Sequence, residues 1–241
     1  MTPLQPLLQA RPTDPFVRWR IEVEGLGATL VDGDHIAWIR RAERNDEVWG
    51  TALGQDPARI VALIEGLDAV KGLDGVTVPA TAFDALPARL RSPDPGYWCL
   101  WFIDPGDVPS RPSAAVELLP DDTRIDAVLA HSTSAETFAG DPLVTRWAGV
   151  EEDGELVAVA AERRRANGSA GLLSVCTVPH ARGRGHAREA CLLLMQKARG
   201  EGAPTIFLEM YAENEAGRRT YSALGFRETG QYRSGLLRLP R

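Results

Sequence analysis

The stretch Val175-Cys-Thr-Val-Pro-His-Ala-Arg-Gly-Arg-Gly-His-Ala187 limits what this chain can fold into more than any other. Leu172, Leu173, Val175, Thr177 and Val178 form an apolar, β-branched run that reads as a buried strand. Pro179 ends it, because proline has no N–H to give to a sheet. Gly183 and Gly185 follow at alternate positions beside Arg182 and Arg184, and then Ala187, Ala190, Cys191, Leu194 and Ala198 fall on one helical face. Strand, glycine-bearing turn and helix start together point unpaired backbone N–H groups at one spot. Glycine allows close approach, and the arginines add positive charge. The spot suits a phosphate or diphosphate.

The run is neither a P-loop, for want of Gly-x-x-x-x-Gly-Lys-Ser/Thr, nor a Gly-x-Gly-x-x-Gly dinucleotide turn, being one glycine short with no acidic strand end after it. A second block lies downstream. Ile206, Phe207 and Leu208 read as a strand, Asn214 can cap a helix running to about Leu224, and Gly225 stops it before Phe226.

These two blocks resemble the GNAT superfamily of N-acetyltransferases. Arg182-Gly-Arg184-Gly185-His186-Ala187 matches that family's Arg/Gln-x-x-Gly-x-Gly/Ala loop for the acyl-CoA pyrophosphate. Asn214, Gly217, Tyr221, Gly225 and Phe226 match its second pattern, and one helix and one strand separate the blocks, as in the family. The resemblance covers roughly residues 114–241 and is weak or absent before them. It implies an α/β (α+β) fold, with a mixed, mostly antiparallel sheet flanked by helices, a hairpin before the pyrophosphate loop and another at the C-terminus. A smaller α/β domain precedes it.

Composition sets the remaining bounds. Hydrophobic residues at 44% and charged residues at 25% are those of a globular protein. A net charge of −6 argues against nonspecific binding to nucleic acid or a membrane surface. Met1-Thr-Pro-Leu-Gln-Pro lacks the basic start of a signal peptide, and Cys99, Cys176 and Cys191 are expected buried and reduced, so a cytoplasmic location is expected. His35, His131, His180 and His186 are scattered without metal-ligand spacing, so no metal is implied.

Along the chain, residues 1–18 read as an irregular, proline-bearing arm, and Leu26 to Arg40 as a hairpin around Asp32-Gly33. A charged turn is expected over Arg40–Glu47, a helix around Ile60–Leu67, strands at Val76–Val78 and Tyr97–Ile103, and a short helix kinked at Pro87. Asp104–Pro112 is rich in turn residues and reads as a linker, which places domains at 1–112 and 113–241. Val76-Thr-Val-Pro79 before a helix echoes Cys176-Thr-Val-Pro179, which fits either a degenerate, ligand-free GNAT-like half or chance. In the second domain, helical segments are expected at Thr123–His131 and Ala135–Ala139, a hairpin at Asp153-Gly154, and a last hairpin turning near Ser234-Gly235.

Direct attack of a neutral amine on a thioester needs the acyl donor held, its carbonyl polarised, a proton removed from the ammonium and one given to the departing thiolate. The resemblance implies acetyl-CoA, or another short acyl-CoA, as cosubstrate. It gives the backbone of Cys176, Thr177 and Val178 to the pantetheine arm, and Arg182, Gly183, Arg184, Gly185, His186 and Ala187 to the pyrophosphate. Cys176 itself reads as a small buried residue, and His186 as loop structure with a backbone donor. Tyr221 is the expected general acid, with Asn214 two helical turns before it on the same face, as cap, donor-arm ligand or both.

For the base, many GNATs carry a Glu on the central strand, where this chain has Ser174. Glu209 is the next candidate, acting directly or through water, since a Glu twelve residues before the Tyr resembles the branch that acetylates ribosomal-protein N-termini. Glu213 and Glu136 are weaker. The expected reaction is N-acetylation of a primary amine, on a small molecule or alternatively a protein N-terminus or lysine. A non-catalytic acyl-CoA-binding regulator and a tRNA-dependent aminoacyl transferase are the rivals; Tyr221 weighs against the first, and the acidic balance and pyrophosphate loop against the second. Homodimerisation through sheet edges, common in the family, has no residue here to argue it.

Overall fold

The fold, a computed structural model, is described for residues 2–41 and 46–238. In chain order it forms α1 (Leu4–Ala10), β1 (Leu26–Asp32), β2 (His35–Arg41), β3 (Val48–Leu53), α2 (Pro57–Lys71), β4 (Gly75–Pro79) and β5 (Gly96–Ile103). Then come β6 (Val116–Leu118), α3 (Arg124–Leu129), β7 (Arg146–Glu152), β8 (Glu155–Arg164), β9 (Ala170–Thr177), α4 (His186–Gly200), β10 (Ile206–Tyr211), α5 (Glu215–Ala223) and β11 (Arg227–Leu236). By its contacts the chain makes two compact units. The first takes residues 1–100, 211–213 and 229–241, the second residues 101–210 and 214–228. This contact division and the 112–113 sequence boundary are different partitions of the chain.

In the first unit β1 and β2 pair antiparallel around Gly33 (φ 62°), β2 and β3 pair antiparallel, and β3 and β4 pair parallel through the α2 crossover. Asp56 starts α2 by accepting the Ala58 N–H at 2.9 Å, and Pro57 occupies the first helical position, where a missing N–H costs nothing. Ile60, Ile64 and Leu67 bury that helix against Ala37, Ile39, Val76 and Val78. β11 pairs antiparallel with β4 from Tyr232↔Pro79 to Leu236↔Gly75.

In the second unit the order is β10-β9-β8-β7-β6. β6 to β9 run antiparallel, and α4 crosses from β9 to the parallel β10. β8 is buried from Leu156 to Ala161 without alternation and packs against both α3 and α4, so helices cover both of its faces. α4 turns Ala190, Cys191, Leu192, Leu194, Met195 and Ala198 inward.

Several expectations change. The N-terminal arm contains α1, because Leu7 is fully buried and Pro3 can open a helix. Residues 135–139 are not helical: the Thr137 carbonyl takes a bond from Ser174, and the Ala139 N–H goes to Asp126. The C-terminal hairpin is one strand, β11, with Ser234 and Gly235 in register opposite Thr77 and Val76. Gly235 serves close approach rather than a turn, since a Cβ there would run into the Ser92 side chain. Of the charged turn at Arg40–Glu47, residues 42–45 lie outside the described residues. Among the described residues no helix is long and apolar enough to cross a membrane.

The segment read as a linker is fastened along α4. Gln196 donates to the carbonyls of Pro109 and Arg111 at 3.0 and 2.7 Å, and Arg199 donates to Val108 at 2.9 Å. Arg111 closes on Glu189 at 2.6 Å and holds that carboxyl below its usual range. A carboxylate with a lowered folded pKa stabilises above the unfolded value and loses that contribution as pH falls through the folded one. Glu189→Gln should therefore flatten the acid limb of a melting-temperature profile below about pH 4.5, a value set by the ordinary carboxyl.

Candidate active site

The β9–β10 ladder runs from Ile206↔Ala170 to Leu208↔Leu172 and ends there, although both strands continue. The parting follows a bulge in β9. Its register against β8 shifts between Val159 and Ala161, and Ser174 has a left-handed backbone with φ 48°. The Ser174 hydroxyl donates to the Thr137 carbonyl at 3.1 Å. The Ser174 side chain thus ties down a loop.

Beyond the parting lies a cleft of about 730 Å³, lined by residues 131–134, 175–177 and 181–188 and by one face of α5 with Asn214, Gly217 and Tyr221. All of these belong to the second unit. Val178 is not brought into it: it is buried and its N–H donates to Val157 at 2.9 Å, on the β8 side. In an antiparallel ladder the next residue points its backbone the other way, so Thr177 faces the cleft. Its carbonyl accepts from Arg182 Nε at 3.0 Å, while Arg182 Nη2 reaches the His131 carbonyl at 3.3 Å.

The turn to α4 has the expected geometry. Gly183 and Gly185 sit at φ 79° and 88°, in the left-handed region, and nothing stands within 4 Å of where a Cβ on Gly183 would go. The Glu189 N–H makes a bond to the Gly185 carbonyl at 3.1 Å, so the N–H groups of His186, Ala187 and Arg188 precede the helical ladder. Two positive-φ glycines, the helix start and the arginines fit a diphosphate. Arg188, which the motif did not include, lies with its guanidinium over Gly185, 3.3 Å from the site of an added Cβ.

On α5, Asn214 caps the helix by accepting the Gly217 N–H at 2.8 Å. Gly217 must be small, since a Cβ would press within 2.9 Å of both Asn214 and the Met210 sulfur. Tyr221 is 7% exposed, packs edge-on to Phe226, and burial pushes its hydroxyl well above the ordinary phenol range, so it stays protonated. Cys176 donates its thiol to the Val128 carbonyl at 3.3 Å and burial raises it too, which keeps it a thiol rather than a nucleophile. Glu209 is exposed and lies outside the cleft lining. Met210 faces Gly217 of α5, so Glu209, one residue before it, points to the opposite face of β10. Among the described residues no His, Cys, Asp and Glu cluster could hold a metal ion.

Sequence reasoning missed residues 131–134, Arg188 and Arg219 in the lining. Arg188 continues the Arg182, Arg184 run into the helix and was findable; the 131–134 loop reaches the cleft only through tertiary structure.

The family model for the acetyltransferase (GNAT) family matches residues 112–226. That segment is a GNAT acetyltransferase domain, a class whose chemistry is acyl-CoA-dependent acetyl transfer. No curated protein matches the sequence. Among solved structures, a GNAT-family protein from Novosphingobium aromaticivorans aligns over 98% of this chain and 96% of its own, with 24% identity and TM-score 0.58. A GCN5-related N-acetyltransferase from Kribbella flavida aligns over 97% and 91%, with 18% identity and TM-score 0.53. A GCN5-related N-acetyltransferase-like protein from Streptococcus suis aligns over 97% and 98%, with 14% identity and TM-score 0.52. At these identities the likeness is one of fold: a mixed α/β architecture with a mostly antiparallel sheet flanked by helices.

The cap gives a test of local stability. Asn214→Ala should lower unfolding free energy by about 1 kcal/mol in a denaturant titration, while Asn214→Asp, which keeps the acceptor, should leave it near wild type.

Proposed function

We propose that this chain transfers the acetyl group of acetyl-CoA to a primary amine of a small molecule, in the cytoplasm, by direct attack within a ternary complex. The observation that carries the reading is the parting of β9 and β10 beyond Leu172 and Leu208, with the Gly183–Gly185 turn and Tyr221 on the same cleft. Thr177 offers the backbone groups for the pantetheine arm, joined by Val175 from the cleft lining. Residues Arg182 to Arg188 hold the diphosphate through helix-start N–H groups and guanidinium charge.

In the transfer step the amine nitrogen attacks the thioester carbonyl carbon. The C–N bond forms and the C–S bond breaks. Tyr221 gives its proton to the thiolate and recovers one from solvent. Its buried, protonated state supports that role. The excess ammonium proton leaves from the opposite side, by way of water to Glu209, which points away from α5. Ser174, being held to Thr137, is assigned no proton.

Calorimetric titration of acetyl-CoA into the wild type and Gly185→Glu tests the site. Micromolar binding, about −8 kcal/mol, should vanish in the variant, where a carboxylate meets the diphosphate and a backbone at φ 88° is strained. No binding by the wild type would sink the reading. Tyr221→Phe should then keep donor affinity and lose about 10²–10⁴-fold in kcat in an amine assay. Because burial raises the Tyr221 hydroxyl above its ordinary value of 10.0, the wild-type pH–rate profile should rise as the amine loses its proton and show no falling limb from this group below that value.

A further inference from the structure

The turn between β7 and β8 carries four acids, Glu151, Glu152, Asp153 and Glu155, and it is built to face cations. Asp153 and Gly154 take φ 52° and 83°, the two left-handed positions of a tight hairpin, which sets Glu152 directly opposite Glu155. Each glutamate meets a different base: Glu151 binds Arg124 of α3 at 2.7 Å, and Glu155 lies 3.6 Å from His180. Glu152 differs from these two because its partners line the cleft. One of its oxygens takes Arg184 Nη1 at 2.6 Å and lies 3.7 Å from His186 Nε2. That His186 nitrogen is buried without a hydrogen-bond partner.

We infer that Glu152 is a built-in counter-anion to the pyrophosphate loop, a positioning residue that holds Arg184 and sets the affinity for the acyl donor by competing with its phosphates. The inference rests on the proposed donor site. Arg184 also donates to the His180 carbonyl at 3.3 Å, so its guanidinium is occupied on two sides before any ligand arrives. An arriving diphosphate must share or take Arg184 from a carboxylate already at contact distance, and it meets that carboxylate's charge as a repulsion. The pair is open to water, with Arg184 53% and Glu152 34% exposed, so the competition it sets up is modest and screened by salt.

The test is calorimetry of coenzyme A with the wild type, Glu152→Gln and Glu155→Gln. Glu152→Gln should bind coenzyme A at least about threefold tighter at low salt, with the gap closing as salt shortens the screening length toward about 3 Å at 1 M. Inorganic pyrophosphate, used as a competitor, should gain by the same factor. Glu155→Gln should match the wild type, because His180 is outside the cleft lining. A merely structural role for Glu152 would make the variant bind more weakly, so a gain identifies the charge competition. Equal or weaker binding by Glu152→Gln, with a native melt, overturns the inference and leaves the donor site standing. Absence of coenzyme A binding in the wild type overturns both.

Discussion

A parallel ladder that stops while its strands continue leaves backbone N–H and C=O groups that must find other partners. The cleft of this protein depends on that interruption. β9 and β10 pair only as far as Leu172 and Leu208, and the bulge at Ser174 bends β9 away. A serine with positive φ costs of order 1–3 kcal/mol, offset in part by the bond its hydroxyl makes to Thr137. The bulge thus does two things at once: it opens the sheet and it pins the loop that walls the opening. Thr177 then turns its carbonyl to the gap, where Arg182 meets it.

The same local plan occurs twice with opposite electrostatic outcomes. In the first unit β3, α2 and β4 form a strand–helix–strand crossover, as β9, α4 and β10 do in the second. By this topology the counterpart of β9 is β3, so the Val76–Pro79 echo pairs strands that hold different places. The helix starts differ more. Asp56 fills the N-terminus of α2 with its own carboxylate, and Pro57 removes a donor. α4 instead begins at Gly185 with no side-chain cap and with arginines around it. At one helix start a side-chain carboxylate caps the backbone N–H groups, and at the other no side chain does.

Charge also fixes what surrounds α4. Glu189 suits the first turn of a helix, where the dipole favours an acid, and it draws in Arg111 from the preceding segment. A stretch with the composition of a flexible linker is in this way laid along the helix by Gln196 and Arg199. Turn-forming residues describe how a segment can bend, and its distant partners determine whether it is free.

The sequence by itself determined the features whose physics is local. The glycine-bearing turn at Gly183 and Gly185, the Asn214 cap, the strand runs and the one-face spacing of Asn214 and Tyr221 each follow from neighbours a few residues away, so periodicity and turn chemistry revealed them. Tertiary structure decided the rest. Only strand register shows that Val178 faces β8 while Thr177 faces the cleft. Only the sheet converts Ser234 and Gly235 from a presumed turn into strand residues opposite Thr77 and Val76. The 131–134 loop, the exposed setting of Glu209 and the Glu152 contact likewise depend on residues far apart in the chain. Their side chains have the same composition and spacing in any fold, and long-range pairing alone gives them partners.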